Sequence, residues 1–251
     1  MTRRPSRRAI LLGAALAISA VAIGWPLFAS AATAVAWQEH AGPVLAAAIL
    51  PVALALLLDD LIRTEFGPRV IAVVAALAAL AAMLRLVSPG VAGIEPIWLV
   101  VLVAGRALGA AEGFAVGVSA ILASALATGG VGPWLPYQMA VAGAIGVGAG
   151  WLPRSRKGER WWLAGYGALS GLLFGVLMNL WFWPTAIGLS DAVALDFADN
   201  PLERVASLIR FSILTSLGWD APRAVLNAVL VLLAGGRLLK AVRRVGLAST
   251  A

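Results

Sequence analysis

Residues 128–150 read TGGVGPWLPYQMAVAGAIGVGAG, which places a turn directly before an apolar run that suits a membrane helix. The glycines allow backbone conformations that other residues avoid, and Pro133 and Pro136 fix φ on either side of Trp134. We therefore predict a rigid turn that presents Trp134, Tyr137 and Gln138 in set directions at the mouth of a bilayer span. Ordinary membrane helices begin more simply, so this turn indicates a binding role.

The whole chain has the composition of a membrane protein. Of its 251 residues, 61% are hydrophobic and only 12% are charged, and the mean hydropathy is +0.93. A soluble domain carries about twice that charged fraction. Several apolar runs approach the ~20 residues that cross a bilayer as a helix, and the alternating segments of a membrane barrel are absent. We predict an all-α polytopic protein with spans at 9–29, 43–59, 69–87, 96–107, 110–127, 135–152, 160–183 and 222–239.

The basic residues indicate how these spans are oriented. The net charge is +7, and Lys and Arg cluster in the segments 1–8, 60–69, 153–160 and 237–251. Basic loops stay in the cytoplasm, so both termini are expected on the cytoplasmic side. The protein itself is expected in the plasma membrane. This placement favours contacts with anionic lipid headgroups over nucleic acid. The opposite segments are acidic, with Glu39, Glu95, Asp191, Asp196, Asp199 and Glu203.

The first apolar run resembles a signal peptide, because it follows four arginines and ends in FASAATA. It is long for a signal segment and continues through Trp25 and Pro26, which favours an uncleaved span. Residues 1–60 are thus expected to form an N-terminal pair of helices, and residues 61–251 a membrane core with a basic tail. The path of 184–221 is open, since 203–217 could extend the last helix or lie in the interface.

The sequence shows no constellation for catalysis or metal binding. It has no cysteine and one histidine, His40, and it lacks the GxxxxGK[ST], HExxH and GxSxG motifs. Asp59 and Asp60 read as a solvated helix end. Arg106 and Glu112, which flank a tight hairpin, are expected to pair with each other. We expect no catalytic residue, no metal and no cofactor.

Polar and aromatic residues gather instead at the outer ends of the spans. Besides the turn at 128–138, the stretches MNLWFWPT (178–185) and TSLGWDAP (215–222) combine tryptophans with an amide or an acid. Ten tryptophans could form ordinary interfacial belts, but belts do not explain the accompanying amides and acids, which are costly in a membrane. The candidate substrate-binding residues are Trp134, Tyr137, Gln138, Asn179, Trp181, Trp183, Trp219, Asp220, Arg85 and Glu95.

The third span carries small residues at helical spacing. Such small-xxx-small pairs let helices approach closely in lipid, either inside one protein or against a partner. The pairs are Ala72/Ala76, Ala75/Ala79 and Ala78/Ala82.

Three segments in order resemble the substrate-specific S components of energy-coupling factor (ECF) transporters. They are GFAVGVSAILASALATGGVGPWLPYQMAVAGAIGVGAGWLP, YGALSGLLFGVLMNLWFWP and TSLGWDAPRAVLNAVL, and the resemblance covers about 69–245. More narrowly, the GPW-P-QM and NLWFWP motifs resemble an actinobacterial-type group. The family implies a six-helix protein that captures a water-soluble vitamin from outside. The two spans at 9–59 depart from that plan.

The resemblance also implies partners. An S component associates with a transmembrane coupling subunit and two cytoplasmic ATPases, which would account for the missing nucleotide loop. Its first core helix, here 69–87, would contact the coupling subunit through Ala72, Ala75, Ala76 and Ala79. The GPW-P-QM pattern is similar to that of S components linked to cobalamin, although a pterin, a thiamin-related compound or another ring compound would suit the pocket too. The alternatives are a stand-alone facilitator or secondary transporter, a lipid-modifying enzyme and a non-catalytic assembly protein.

Overall fold

A computed structural model describes residues 6–63, 67–88, 90–153, 158–186, 189–191 and 193–247. In these segments the chain is an all-α bundle without β-strands, as the sequence predicted. The helices are α1 (Arg7–Gly24), α2 (Ala31–Arg63), α3 (Gly67–Val87), α4 (Ile97–Leu108), α5 (Ala110–Thr128), α6 (Leu135–Trp151), α7 (Glu159–Phe182), α8 (Pro201–Thr215), α9 (Leu217–Leu230) and α10 (Gly236–Leu247).

Six segments of the described chain are long and apolar enough to cross a membrane. They include α1, α2, α3, α5 and α7, and the sixth combines α9 and α10, which a π-helical turn at Val231–Gly235 joins. The shorter α4 has only 12 residues, and ten consecutive side chains from Ile97 to Arg106 are buried in the bundle. The protein is therefore a multi-pass membrane protein, and its short helix α4 is surrounded by other helices.

The second helix is longer than the sequence suggested. It begins at Ala31 rather than near residue 43, and it continues through Pro43 and Pro51. The polar stretch Trp37–His40 extends the helix outward instead of forming a loop. The segment 203–217 is also resolved: α8 is a separate helix that starts with an Asn200–Glu203 capping box, and a break at Ser216 divides it from α9.

Glycines hold α4, α5 and α6 together at the centre of the bundle. A methyl group at Gly105 would overlap the carbonyl oxygen of Gly146, and one at Gly113 would lie 2.6 Å from that same oxygen. Because only glycine permits this approach, three backbones meet there. In the glycine-rich run of α6, Gly143, Gly146 and Gly150 thus pack against α5, whereas Gly148 faces Tyr166 of α7.

Glycines also allow α7 and α9 to pack closely against each other. Gly171 and Gly175 are four residues apart on α7 and face α9, where a methyl group at Gly171 would lie 2.8 Å from the Cα of Ala224. At Gly175 a methyl group would overlap the carboxylate of Asp220. The close approach therefore brings a carboxylate of α9 directly onto the backbone of α7.

The ion pairs of Arg8, Arg106 and Arg243 lie at one end of the bundle, where the two ends of the described chain meet. Arg106 donates to Glu159, which also accepts from Arg243 near the end of the chain, and Glu112 accepts from Arg8 near its beginning. The expected pairing of Arg106 with Glu112 was wrong. The guanidinium of Arg106 instead turns toward the end of α6, where it donates to the carbonyl oxygens of residues 152 and 153.

The helices α1 and α2 pack on the remaining bundle. The α2 helix contacts α3, α5 and α6, and α1 contacts α6 and α7. The division of the chain near residue 60 stays a prediction.

Candidate functional site

The ten predicted site residues lie at the end of the bundle opposite the ion pairs of Arg8, Arg106 and Arg243. They come from the end of α3, the start of α4, the start of α6, the end of α7 with the 3₁₀ turn after it, and the start of α9. The turns between these elements thus bring residues from distant parts of the sequence to one face. Within this face the residues separate into an aromatic group and a polar chain.

The aromatic group consists of Trp134, Tyr137 and Trp181. The ring centroid of Trp181 lies 6.1 Å from those of both Trp134 and Tyr137, with the first pair edge-on. The Trp134 ring lies over Gly132, where a side chain would overlap it. The Gly-Pro-Trp turn therefore fixes the ring as the sequence predicted. Trp134 is 37% exposed, whereas Tyr137 is only 2% exposed.

A cleft of about 360 Å³ lies beside this aromatic group. One wall comes from the turn and from Tyr137 and Trp181, and the other comes from α2 through Gln38, Glu39 and Gly42. Sequence reasoning did not include Gln38 and Glu39 among the site residues. The sequence contains a signal for these polar residues, because WQEH interrupts an otherwise apolar segment. This stretch was, however, interpreted as a loop.

Arg85 occupies the end of α3 and reaches toward α5 and α6. Its guanidinium donates to the hydroxyl of Ser124 at 2.9 Å and to Oε1 of Gln138 at 3.0 Å. The amide of Gln138 is thus oriented by an arginine, and the rigid turn is tied to the end of a neighbouring helix. Two of the predicted residues are here in direct contact.

Arg223 joins two other predicted residues, Glu95 and Asp220. Its Nε donates to Glu95 at 3.1 Å, its Nη1 donates to Asp220, and its guanidinium lies 5.1 Å above the ring of Phe174. Arg223 itself is 6% exposed. Sequence reasoning missed it, although a single arginine in a long apolar span is the kind of residue that marks a polar site.

Asn179 extends this polar chain through two serines. Its Nδ2 donates to the hydroxyls of Ser212 and Ser216, each at 2.9 Å, and Ser216 in turn donates to Asp220 at 2.9 Å. Both serines lie outside the predicted set, because hydroxyls in an amphipathic segment carry little sequence signal. The chain therefore links α7, α8 and α9.

A second cleft, of about 340 Å³, opens on this polar chain. Its lining combines apolar and polar side chains from α7 and α9 with those of the break between α8 and α9. The lining residues are Phe174, Gly175, Met178, Asn179, Thr215, Ser216, Trp219, Asp220 and Arg223. Trp219 is 54% exposed at its edge. The cleft thus offers a carboxylate, an amide and two hydroxyls beside an aromatic ring.

Trp183 has a different environment from the other predicted tryptophans. Its Nε1 donates to the carbonyl oxygen of Val193 at 2.7 Å, and its ring lies beside Phe211. The side chain is 1% exposed and lines neither cleft. Its contacts anchor the segment after α7 to α8.

The predicted partner face lies on α3. The side chains of Ala72, Ala75, Ala76 and Ala79 are all exposed, whereas Ala78 and Ala82 are buried against the bundle. The small residues thus divide between internal packing and an open face. Among the described residues, no group of three or more acidic or histidine side chains could hold a metal ion.

This architecture defines a membrane protein with a polar, aromatic-lined site at one end and a small-residue face on one side. The family model described as "ECF transporter, substrate-specific component" matches residues 69–235. Searches of curated proteins and of solved structures found no match. The chain belongs to the family of substrate-specific components of ECF transporters. It is thus a transporter subunit, and the matched region contains all ten predicted site residues but excludes α1 and α2.

Proposed function

We propose that this chain captures a water-soluble vitamin or related micronutrient at the end of the bundle that carries the two clefts. The convergence of the aromatic group and the polar chain on that end supports the proposal. Aromatic faces stack on a ring, and convergent amides, hydroxyls and charges orient it, which is the usual composition of a small-molecule site. Trp134, Tyr137, Gln138 and Asn179 are the residues that we expect to contact the substrate most directly.

The clefts face outward in this proposal, and both termini are cytoplasmic. The ends of the described chain lie at the opposite end of the bundle, where Arg8, Arg106 and Arg243 gather. Basic residues at the ends of membrane helices favour the cytoplasmic side. The orientation thus follows from charge and from the shared position of the two chain ends, and it leaves the clefts open to the outside of the plasma membrane.

The size of the clefts bears on the choice of substrate. Volumes of about 360 and 340 Å³ lie at the lower end of the ~300–1,000 Å³ range of ligand pockets. The GPW-P-QM resemblance favours cobalamin, whereas clefts of this volume favour a compound with one or two rings. We therefore propose a ring-bearing vitamin smaller than a corrinoid.

Delivery into the cell requires partners that supply the energy. We propose that a transmembrane coupling subunit contacts the open alanine face of α3 and that two cytoplasmic ATPases drive release. Ala72, Ala75, Ala76 and Ala79 offer a flat surface against which another helix can pack in lipid. In this arrangement the partner contact is on the side of the bundle, away from the clefts.

The experiment is to purify the protein gently in detergent and to identify the small molecules that it releases by mass spectrometry. A stoichiometric vitamin is the expected result, and an absorbance spectrum of the same sample distinguishes a corrinoid from a smaller ring. An empty protein that also binds none of a vitamin panel would contradict the proposal. Uptake that persists in cells without coupling ATPases would instead identify a facilitator or secondary transporter.

A further inference from the structure

The cleft beside the aromatic group is built partly from a helix outside the matched family region. Gln38, Glu39 and Gly42 of α2 form one wall, and the family match begins only at residue 69. A methyl group at Gly42 would lie 3.5 Å from the Tyr137 ring, at van der Waals distance. The backbone of α2 therefore runs directly against the turn, and the two walls are in fixed contact.

The charge that lines this cleft is negative. Among the described residues that line it, Glu39 is the only charged one, and none is a lysine, arginine or histidine. Within the described part of the chain, neither Gln38 nor Glu39 has a hydrogen-bond or ion-pair partner. Both side chains are exposed. The carboxylate and the amide are thus available to a ligand.

The opposite wall of the cleft, like the carboxylate of Glu39, favours a positively charged ligand. Trp181 is half-buried and lines this wall, and the face of its ring carries negative electrostatic potential, which binds a cation held above it. A carboxylate beside aromatic faces favours a positive charge and disfavours an anion, because both groups contribute the same sign of potential. The amide of Gln38 can hydrogen-bond to a ring substituent. The lining thus selects for a planar organic cation.

We propose that α2 supplies part of the substrate site, with Glu39 and Gln38 holding the positively charged ring of the substrate against Trp181. This inference rests on the proposed function, and it assigns to the N-terminal helix pair a role in recognition. The substrate is then an organic cation, and neutral or anionic ring compounds bind less tightly.

The test measures binding to full-length protein in detergent by isothermal titration calorimetry. The probes are thiamine, which carries a permanent ring charge, riboflavin, which is neutral, and biotin, which is anionic. Wild type is compared with Glu39→Gln, which removes the charge but keeps the shape. The control is Asp191→Asn, because Asp191 is also exposed, belongs to the same end of the bundle and lies outside the cleft.

We expect wild type to prefer thiamine and Glu39→Gln to weaken thiamine binding about threefold to tenfold, the range for an exposed ion pair with an adjacent ring. Asp191→Asn leaves the affinity unchanged. Higher salt weakens wild type more than Glu39→Gln, since an exposed charge is screened. Tighter binding of riboflavin or biotin, or an unchanged Glu39→Gln, overturns the inference while the proposed function stands. Failure of all three probes to bind also overturns the inference. The proposed function is then tested separately, by identifying the compounds that the purified protein releases.

Discussion

The close contact between α7 and α9 at Gly175 gives the sharpest prediction from this structure. Gly175→Ala adds one methyl group where the carboxylate of Asp220 now lies. The Asp220 side chain is 4% exposed and accepts from Ser216 and Arg223, so it cannot move without breaking these contacts. The backbone of α9 also has little room to move away from α7, because the two helices are in close contact again at Gly171, one turn away.

The magnitude follows from the two ways in which the overlap can be relieved. Separating the helices overpacks the interface and costs about 1–3 kcal/mol. Turning Asp220 away loses a hydrogen bond from Ser216 and a charge-assisted one from Arg223, for a total of about 2–4 kcal/mol. The less costly of these two responses sets the effect, so we expect Gly175→Ala to lower the free energy of unfolding by about 1–3 kcal/mol.

The assay is reversible unfolding in dodecyl maltoside micelles titrated with SDS, together with binding of the compound that co-purifies. Gly165→Ala is a matched control, because it adds the same methyl group to the same helix at a position with no atom within 4 Å. We expect this control to unfold at the wild-type midpoint or slightly later, since alanine is the better helix former. Binding should weaken in Gly175→Ala alone.

A double substitution separates the proposed cause from a general effect on the helix. Asp220→Ala removes the group that the new methyl overlaps, so adding Gly175→Ala to it should cost much less than in wild type. The two single effects are then clearly non-additive, as expected for residues in contact. Equal stability of Gly175→Ala and Gly165→Ala would refute the reasoning, and additive effects in the double variant would show that Asp220 is not the obstacle.

Three further predictions concern the site, the partner face on α3 and the contacts of Arg204 in α8. Trp134→Ala and Asn179→Ala each weaken binding of the co-purifying compound by about 1–3 kcal/mol in folded protein, measured by calorimetry, and unchanged affinity in both would exclude this site. Ala76→Leu leaves binding intact but reduces energised uptake and co-purification with the coupling subunit, whereas Ala47→Leu on the exposed side of α2 changes neither. Arg204→Ala lowers the unfolding midpoint, because four backbone carbonyls lose their donor.

The sequence was sufficient to predict the class of fold, and it selected candidate site residues that gather at one end of the bundle. Apolar length and the rigid turn at 128–138 depend on local chemistry, and local chemistry can be read directly from the chain. The turn holds Trp134 as predicted because Gly132 leaves room for the ring. The three stretches 128–138, 178–185 and 215–222 converge because alternate spans must return to the same face of the membrane.

The pairing of charged residues was not predictable in the same way. Arg106 and Glu112 are six residues apart and were expected to pair, yet each binds a residue from a distant helix. Such choices depend on how helices rotate about their axes, which the glycine contacts between α4, α5 and α6 determine. The contact of Arg223 with Glu95, which lies 128 positions earlier in the chain, depends on the same rotation, although its contact with Asp220 is local.

The contacts of Arg204 tie the N-terminal helix pair to the rest of the bundle at the end that carries the clefts. This arginine of α8 is 6% exposed and donates to the carbonyl oxygens of Pro26 and Ala29, in the connection between α1 and α2. The ring of Trp25 stacks on Phe197, which lies beneath the same guanidinium. Without the pair, a buried cation would lose two of its four acceptors, which is costly in an apolar environment. The segment that carries Ser212 and Ser216 would then lose a support, so we expect deletion of α1 and α2 to disturb the second cleft as well as the first.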